Sequence, residues 1–219
     1  MRRILLLLAC LPTLCSSQST QTRQFTCGPV QFEVDAGVIV VLYHGHEWTP
    51  DIAKLPIRAE DCPNGTARKE CGAHPGAACL ACIREWLPVA WDGLNEILYF
   101  TASTGPKRIL LGYDLRNEQI ARVLESSGPA FAADGAVSPT GRYLALMTHA
   151  DCATCCPSSN LTIVDTQTRK MDSVQDDSVS ITGVRWTGPS MLTYSAEICK
   201  PATVSAPRQV TRSVNVAKP

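Results

Sequence analysis

A mainly β chain, organised as a propeller-like array of about three four-stranded blades, follows from three observations. Short apolar or alternating segments recur from Leu87 onward with a period near fifty residues. The turns between them carry Gly, Pro and Asp where the chain must reverse. Cysteine is abundant, 11 in 219 residues, and clusters in turn-rich segments rather than in the strands. A period of that size, filled by four short strands, is the mark of a propeller blade.

The N-terminus reads as an export signal over residues 1–17. Met1-Arg2-Arg3 supplies the charge, Ile4 to Leu11 the short apolar segment, and Pro12 breaks it before the small residues Ser16, Ser17 and Ser19. Cleavage is expected near Ser17. Leu7-Leu8-Ala9-Cys10 offers a second route, a lipobox in which Cys10 becomes a lipidated first residue, although only nine residues precede it. No apolar run reaches the ~18 residues needed to span a bilayer.

Residues 18–86 are expected to hold a hairpin and a cysteine-rich insertion. Val30 to Val34 and Val38 to Tyr43 alternate as strands, and Asp35-Ala36-Gly37 is the turn between them. The stretch from His44 to Trp86 shows no sustained period and reads as an irregular, disulfide-stapled insertion.

Residues 87–219 carry the repeats. Leu98 and Leu144 stand 46 residues apart, Leu144 and Leu192 stand 48 apart, and Asp114 precedes Asp165 by 51. The last interval is longer because the Cys152 to Cys156 loop is inserted there. The third copy supplies Ile181 to Trp186 and Met191 to Ser195, with a further strand around Gln209 to Val216, and shows no Asp-turn-basic element. Three blades fall short of the about four that closed rings need. The N-terminal hairpin is therefore expected to complete the third sheet. The alternative is that it packs beside the first repeat, its neighbour in sequence.

Val137-Ser138-Pro139-Thr140-Gly141-Arg142-Tyr143-Leu144-Ala145-Leu146 resembles the signature of WD40-like propeller repeats of the TolB type, and Leu161 to Lys170 resembles their third-to-fourth strand turn. The resemblance covers about residues 87–195. Thr140 stands where that family usually has Asp. The resemblance implies a propeller fold and leaves the function open, because propellers host binding, scaffolding and catalysis alike.

Outside the cytosol, clustered cysteines form disulfides. Cys62, Cys71, Cys79 and Cys82 share one loop and are expected to pair mainly among themselves. Cys152 is expected to pair with Cys155 or Cys156, leaving the neighbouring thiol free or reaching Cys199. The competing uses of these residues are zinc on the Cys79-x-x-Cys82 and Cys152-x-x-Cys155 pairs, a redox Cys79–Cys82 pair, and a metal on His44 and His46. Two imidazoles are too few ligands for a site, and no helix follows Cys82 to lower a thiol pKa. Trp48, Trp86, Trp91 and Trp186 read as packing residues, and the sequons at Asn64 and Asn160 also read as turns.

Lys and Arg total 20, as do Asp and Glu, and no block of like charge points to nucleic acid. No catalytic or cofactor motif appears. The sequence reads as an exported, periplasmic or secreted, non-enzymatic binding module whose partner is a protein or envelope component. The alternative is a metal-binding or redox protein using the Cys/His-rich insertion.

Overall fold

The computed structural model describes residues 16–19, 23–35, 38–51, 54–105, 107–127, 135–150, 158–174, 179–198 and 208–217. Among these residues sixteen strands form four antiparallel sheets in chain order. The first holds β1 (Ser16–Ser19), β2 (Arg23–Cys27), β3 (Val30–Asp35), β4 (Val38–Tyr43) and β5 (His46–Trp48). The second holds β6 (Glu85–Asp92), β7 (Ile97–Ser103), β8 (Lys107–Asp114) and β9 (Gln119–Ser127). The third holds β10 (Gly135–Val137), β11 (Tyr143–Ala150), β12 (Ser158–Asp165) and β13 (Met171–Val174). The fourth has β14 (Val179–Trp186), β15 (Met191–Ile198) and β16 (Arg208–Asn215). We call these sheets blades I to IV; they form an open array that does not close into a ring.

Each of the three expected repeats is a sheet of its own, and the N-terminal strands make a fourth. Asp35 pairs with Val38 as the hairpin reading requires, while the turn residues Ala36 and Gly37 lie outside the described residues. The polar N-terminal stretch hid β1 and β2, and β1 straddles the expected cleavage point. Pro88 sits inside β6, where it can donate no ladder hydrogen bond. The register slips between Pro88 and Ala90, and that bulge accommodates it.

Three apolar layers lie between the four sheets. Between blades I and II, Phe25, Phe32, Ile39 and Val41 bury against Leu98, Phe100 and Leu111. The Phe32 and Phe100 rings stand 5.5 Å apart, and Tyr43 reaches Trp91 at 4.9 Å. Between II and III, Val89, Ala90, Tyr99 and Leu110 meet Leu144, Leu146 and Val164. Between III and IV, Tyr143, Met147 and Ile163 meet Ile181, Leu192 and Tyr194. Gly135 lets the inner strands of II and III approach, because a Cβ there would stand 2.8 Å from Val89. Trp186 ties the inner strands of III and IV, its Nε1–H donating to the Ala136 carbonyl at 2.8 Å.

The expectation that the N-terminal hairpin completes the last sheet is overturned, because β3 and β4 belong to blade I and pack against blade II. Joining neighbours in sequence closes a shorter loop than joining the two ends of the chain. The hairpin's apolar residues Phe32, Ile39 and Val41 are already spent against blade II, and the outer sides of blades I and IV are polar. Blade IV turns Arg185, Thr193, Ser213, Ser195 and Thr211 away from blade III, and these cross-strand partners give it a polar outer side. Gln24, Thr26, Gln31 and Glu33 do the same for much of blade I. Basic residues on an edge strand discourage further pairing, and β16 carries Arg208 and Arg212.

The insertion is partly regular. A 3-10 turn at Ala59–Asp61 leads to α1 (Thr66–Ala73) and α2 (Ala77–Leu80). Arg68 on α1 gathers the carbonyls of Ala59, Glu60 and Cys62 and the Asn64 side chain. Four converging acceptors hold this segment in place of a hydrophobic period.

Removing the Phe32 side chain opens a cavity at the I–II layer. Phe32→Ala is expected to cost about 3 kcal/mol or more in urea unfolding. Hydrogen-exchange protection should fall in β7 and stay unchanged in β15.

Candidate functional site

The chemistry of the chain gathers at two places, the cysteine insertion and a cleft between blades II and III. In the insertion, Cys62 bonds Cys82 and Cys71 bonds Cys79. The Cys79-x-x-Cys82 pair is thus divided between two nested disulfides, so it is neither a redox dithiol nor a thiolate pair for zinc. Cys27 is buried beneath the I–II layer. Cys152, Cys155, Cys156, Cys199 and Cys10 lie outside the described residues.

Asp61 joins the insertion to blade II. It is fully buried, and its carboxylate accepts two hydrogen bonds from Arg122, at 2.7 and 3.0 Å, and one from Lys107 at 3.3 Å. The Arg58 N–H adds a fourth at 2.8 Å. Its backbone carbonyl accepts from the Thr104 hydroxyl at 2.6 Å. Burial alone would raise the pKa of this carboxyl. Arg122, the Arg58 N–H and Lys107 together outweigh burial and hold it below its ordinary 3.8.

His44 and His46 do not share a strand face. His44 and Gly45 both have positive φ, 49° and 77°, and form a two-residue turn between the paired residues Tyr43 and His46. Each imidazole rests against an aromatic ring, Tyr43 for His44 and Trp48 for His46. Of the four tryptophans, Trp86 is buried in the I–II layer and the other three are half-buried beside it or in the III–IV layer. Asn160 lies within β12, so its sequon is strand rather than turn, whereas Asn64 is in an exposed turn.

At the other end of the blades from the insertion, one turn design recurs. Asp114 accepts the N–H groups of Arg116 and Asn117, and Asp165 accepts those of Gln167 and Thr168. Four residues beyond each carboxylate the backbone turns left-handed, at Glu118 and at Arg169. In blade IV the residue at this place is Asn215, whose side chain accepts the Ala217 N–H. Asn215 thus stands at the end of the third strand where blades II and III have Asp, and residues 218 and 219 beyond it lie outside the described residues. Asp92 does the same work between the first two strands of blade II, accepting Leu94 and Asn95 N–H.

Blade III locks onto blade II through the motif at Ser138 to Arg142. Ser138 is buried and accepts the Tyr143 N–H, and the chain turns at Gly141 with φ 71°. A Cβ on Gly141 would collide with Asn95 and Asp92. Arg142 pairs with Asp165 at 2.9 Å, and Thr166 donates to the carbonyls of Gly141 and Arg142.

Above this contact opens a cleft of about 340 Å³. Ile97, Tyr99 and Val123 close over Gly112 to make an apolar floor, and Ala121 lies exposed beside them. Burial, and then the charge of Asp92, push the Tyr99 pKa to about 12, so its hydroxyl stays neutral against Thr166. Most polar groups of the walls are engaged: Asn95 with Asp92, Asp114 with Asn117, Thr140 with Ser138, and Arg122 with Asp61 and Glu125. Gln119 from blade II and Gln167 and Arg169 from blade III have side chains without a hydrogen-bond or ionic partner among the described residues. All three are exposed at the edge of the cleft. Sequence reasoning placed Arg169 in a turn and passed over the two glutamines, because no motif marks an unengaged carboxamide.

The fold is that of a β-propeller segment, and comparison with known proteins agrees at the level of fold. The chain is similar in structure to the tricorn protease, with a TM-score of 0.56 and 15% identity over 96% of this chain and 17% of that one. It also matches TolB from Acinetobacter baumannii, with a TM-score of 0.46 and 12% identity over 84% of this chain and 36% of that one. The β-propeller domain of the Trilobed protease from Pyrococcus furiosus, described as having an open velcro topology, gives 0.48 and 7% over 92% and 54%. The chain thus spans about half or less of the length of these structures. No protein-family model matches the sequence, and no curated protein matches it.

Two outcomes follow. Asp61→Asn leaves Arg122 and Lys107 facing a neutral group and is expected to cost about 3 kcal/mol. Because the folded carboxyl titrates below its unfolded value, its contribution is complete above about pH 5 and is lost as pH falls through the folded pKa. Stability of the parent should therefore drop on acidification more than that of Asp61→Asn, measured by thermal melting from pH 7 to 3. Gly141→Ala meets both left-handed strain, about 1 kcal/mol or more, and the Asn95 collision. Calorimetry should show a lowered Tm, and Asn95→Ala should relieve part of it.

Proposed function

We propose that this protein is an exported, non-enzymatic binding module in which the II–III cleft receives a segment of a protein partner in the cell envelope or outside the cell. The observation that carries the reading is the cleft itself, an apolar floor rimmed by three unengaged polar side chains on a rigid β frame. A few polar groups around an apolar base are the usual make-up of a binding site. Tyr99, the titrating group most shifted there, is pushed away from ionisation at neutral pH, which suits recognition better than proton transfer. Export is supported by the N-terminal pattern and by the two disulfides, bonds that persist in oxidising compartments. Among the described residues no helix is long and apolar enough to cross a membrane.

A photo-crosslinking amino acid at Gln167, expressed in the native host, is expected to trap a discrete partner. The same group at Glu197, on the outer side of blade IV, should trap none, and equal yields at both positions would reject the cleft. Intact-mass analysis of the same material is expected to show loss of about 17 to 19 residues. A diacylglyceryl group on Cys10 would instead make the protein lipid-anchored.

A further inference from the structure

Resting on that reading, we propose that the II–III cleft recognises the free C-terminal end of a peptide whose last residue is apolar. The apolar side chain lies on the floor of Ile97, Tyr99 and Val123, and the terminal carboxylate meets Arg169. The volume sets the scale: about 340 Å³ is near the lower end of the ~300–1,000 Å³ of small-ligand sites. It has room for one side chain with its flanking backbone.

Charge then selects the end group. Arg122 also lines the cleft, but Asp61 and Glu125 already balance its guanidinium. Asp114 spends its oxygens on the N–H groups of Arg116 and Asn117 and on the Asn117 amide. Arg169 is left as the cation of the rim with no ionic partner among the described residues, and it follows directly on the Asp165 turn with φ 58°. A planar guanidinium takes a carboxylate through two parallel hydrogen bonds. Gln119 and Gln167 offer one acceptor and two donors each, the complement of a peptide group's N–H and C=O. A guanidinium, two carboxamides and an apolar floor together describe a chain end more closely than a bare acid or an internal loop.

The test uses the full chain and three probes: N-acetyl-Ala-Phe with a free carboxylate, the same dipeptide as its C-terminal amide, and 3-phenylpropionate. Calorimetric titration is expected to give the acid a Kd at least about tenfold below that of the amide. Backbone amide shifts should be confined to Gly112, Ala121, Gln167 and their neighbours. Arg169→Gln should abolish the preference for the acid with an unchanged Tm, and Gln167→Ala should weaken both peptides alike. Equal binding of acid and amide, or a preference that survives Arg169→Gln, overturns the inference. So does 3-phenylpropionate binding as tightly as the peptide, which would mark a small-acid site. A Gln167 crosslink that survives Arg169→Gln overturns C-terminal recognition while leaving the binding module standing. Loss of the crosslink in that variant supports it.

Discussion

An apolar sheet face must be covered, and in this chain each one is covered by the sheet next to it in sequence. Four sheets stacked in order create three dry layers and two outer sides, and the composition follows that count. Inner positions carry Phe32, Phe100, Leu144 and Leu192, all fully or almost fully buried, while the far side of blade IV carries Ser, Thr and Arg. Without that neighbour-to-neighbour burial the strands would be isolated meanders with little to hold them. The insertion, the turns and the cleft are all consequences of how adjacent sheets meet.

The layers differ in what reinforces them. Between I and II, the disulfide-bonded insertion adds Leu55 and Ile57 to the core and the buried Asp61 pins it to β8 and β9. Between III and IV, Trp186 spans the inner strands. Among the described residues the II–III layer has the smallest core, seven buried residues, and is supported at one end by the Gly141 contact with Asp92 and Asn95. The cleft opens beside that contact, between the outer strand of blade II, with Gln119 to Val123, and the Thr166 to Arg169 turn of blade III.

The repeats were legible because their signals are local and periodic: the leucines of the second strands, the Asp114 and Asp165 turns, and Ser138 to Arg142. Blade I was half legible. Its β3–β4 hairpin alternates cleanly, but β2 is a five-residue strand in polar surroundings, and its membership depends on Phe25 meeting Phe32. Asn215 escaped notice because a carboxamide accepts the same backbone N–H as a carboxylate without matching the expected letter. The placement of the hairpin was misjudged for a different reason. An open edge makes a demand, but the apolar face of the hairpin, Phe32, Ile39 and Val41, is already buried against blade II, and that burial depends on contacts between sheets that no local pattern carries. The cleft was illegible, since it depends on which side chains remain unengaged after folding.

The order of the layers bears on how the molecule is assembled. Every interface joins sheets made consecutively, and the two disulfides close within a single segment, spanning 20 and 8 residues. A chain emerging from its N-terminus can therefore finish blade I, oxidise the insertion and dock blade II before blade IV has been delivered. A ring closed by its two ends must instead hold its first strand unpaired until the last one arrives. Here each new sheet finds its partner already formed, so folding advances like a zipper, and the interval in which an apolar face stands exposed is no longer than the time needed to thread one repeat.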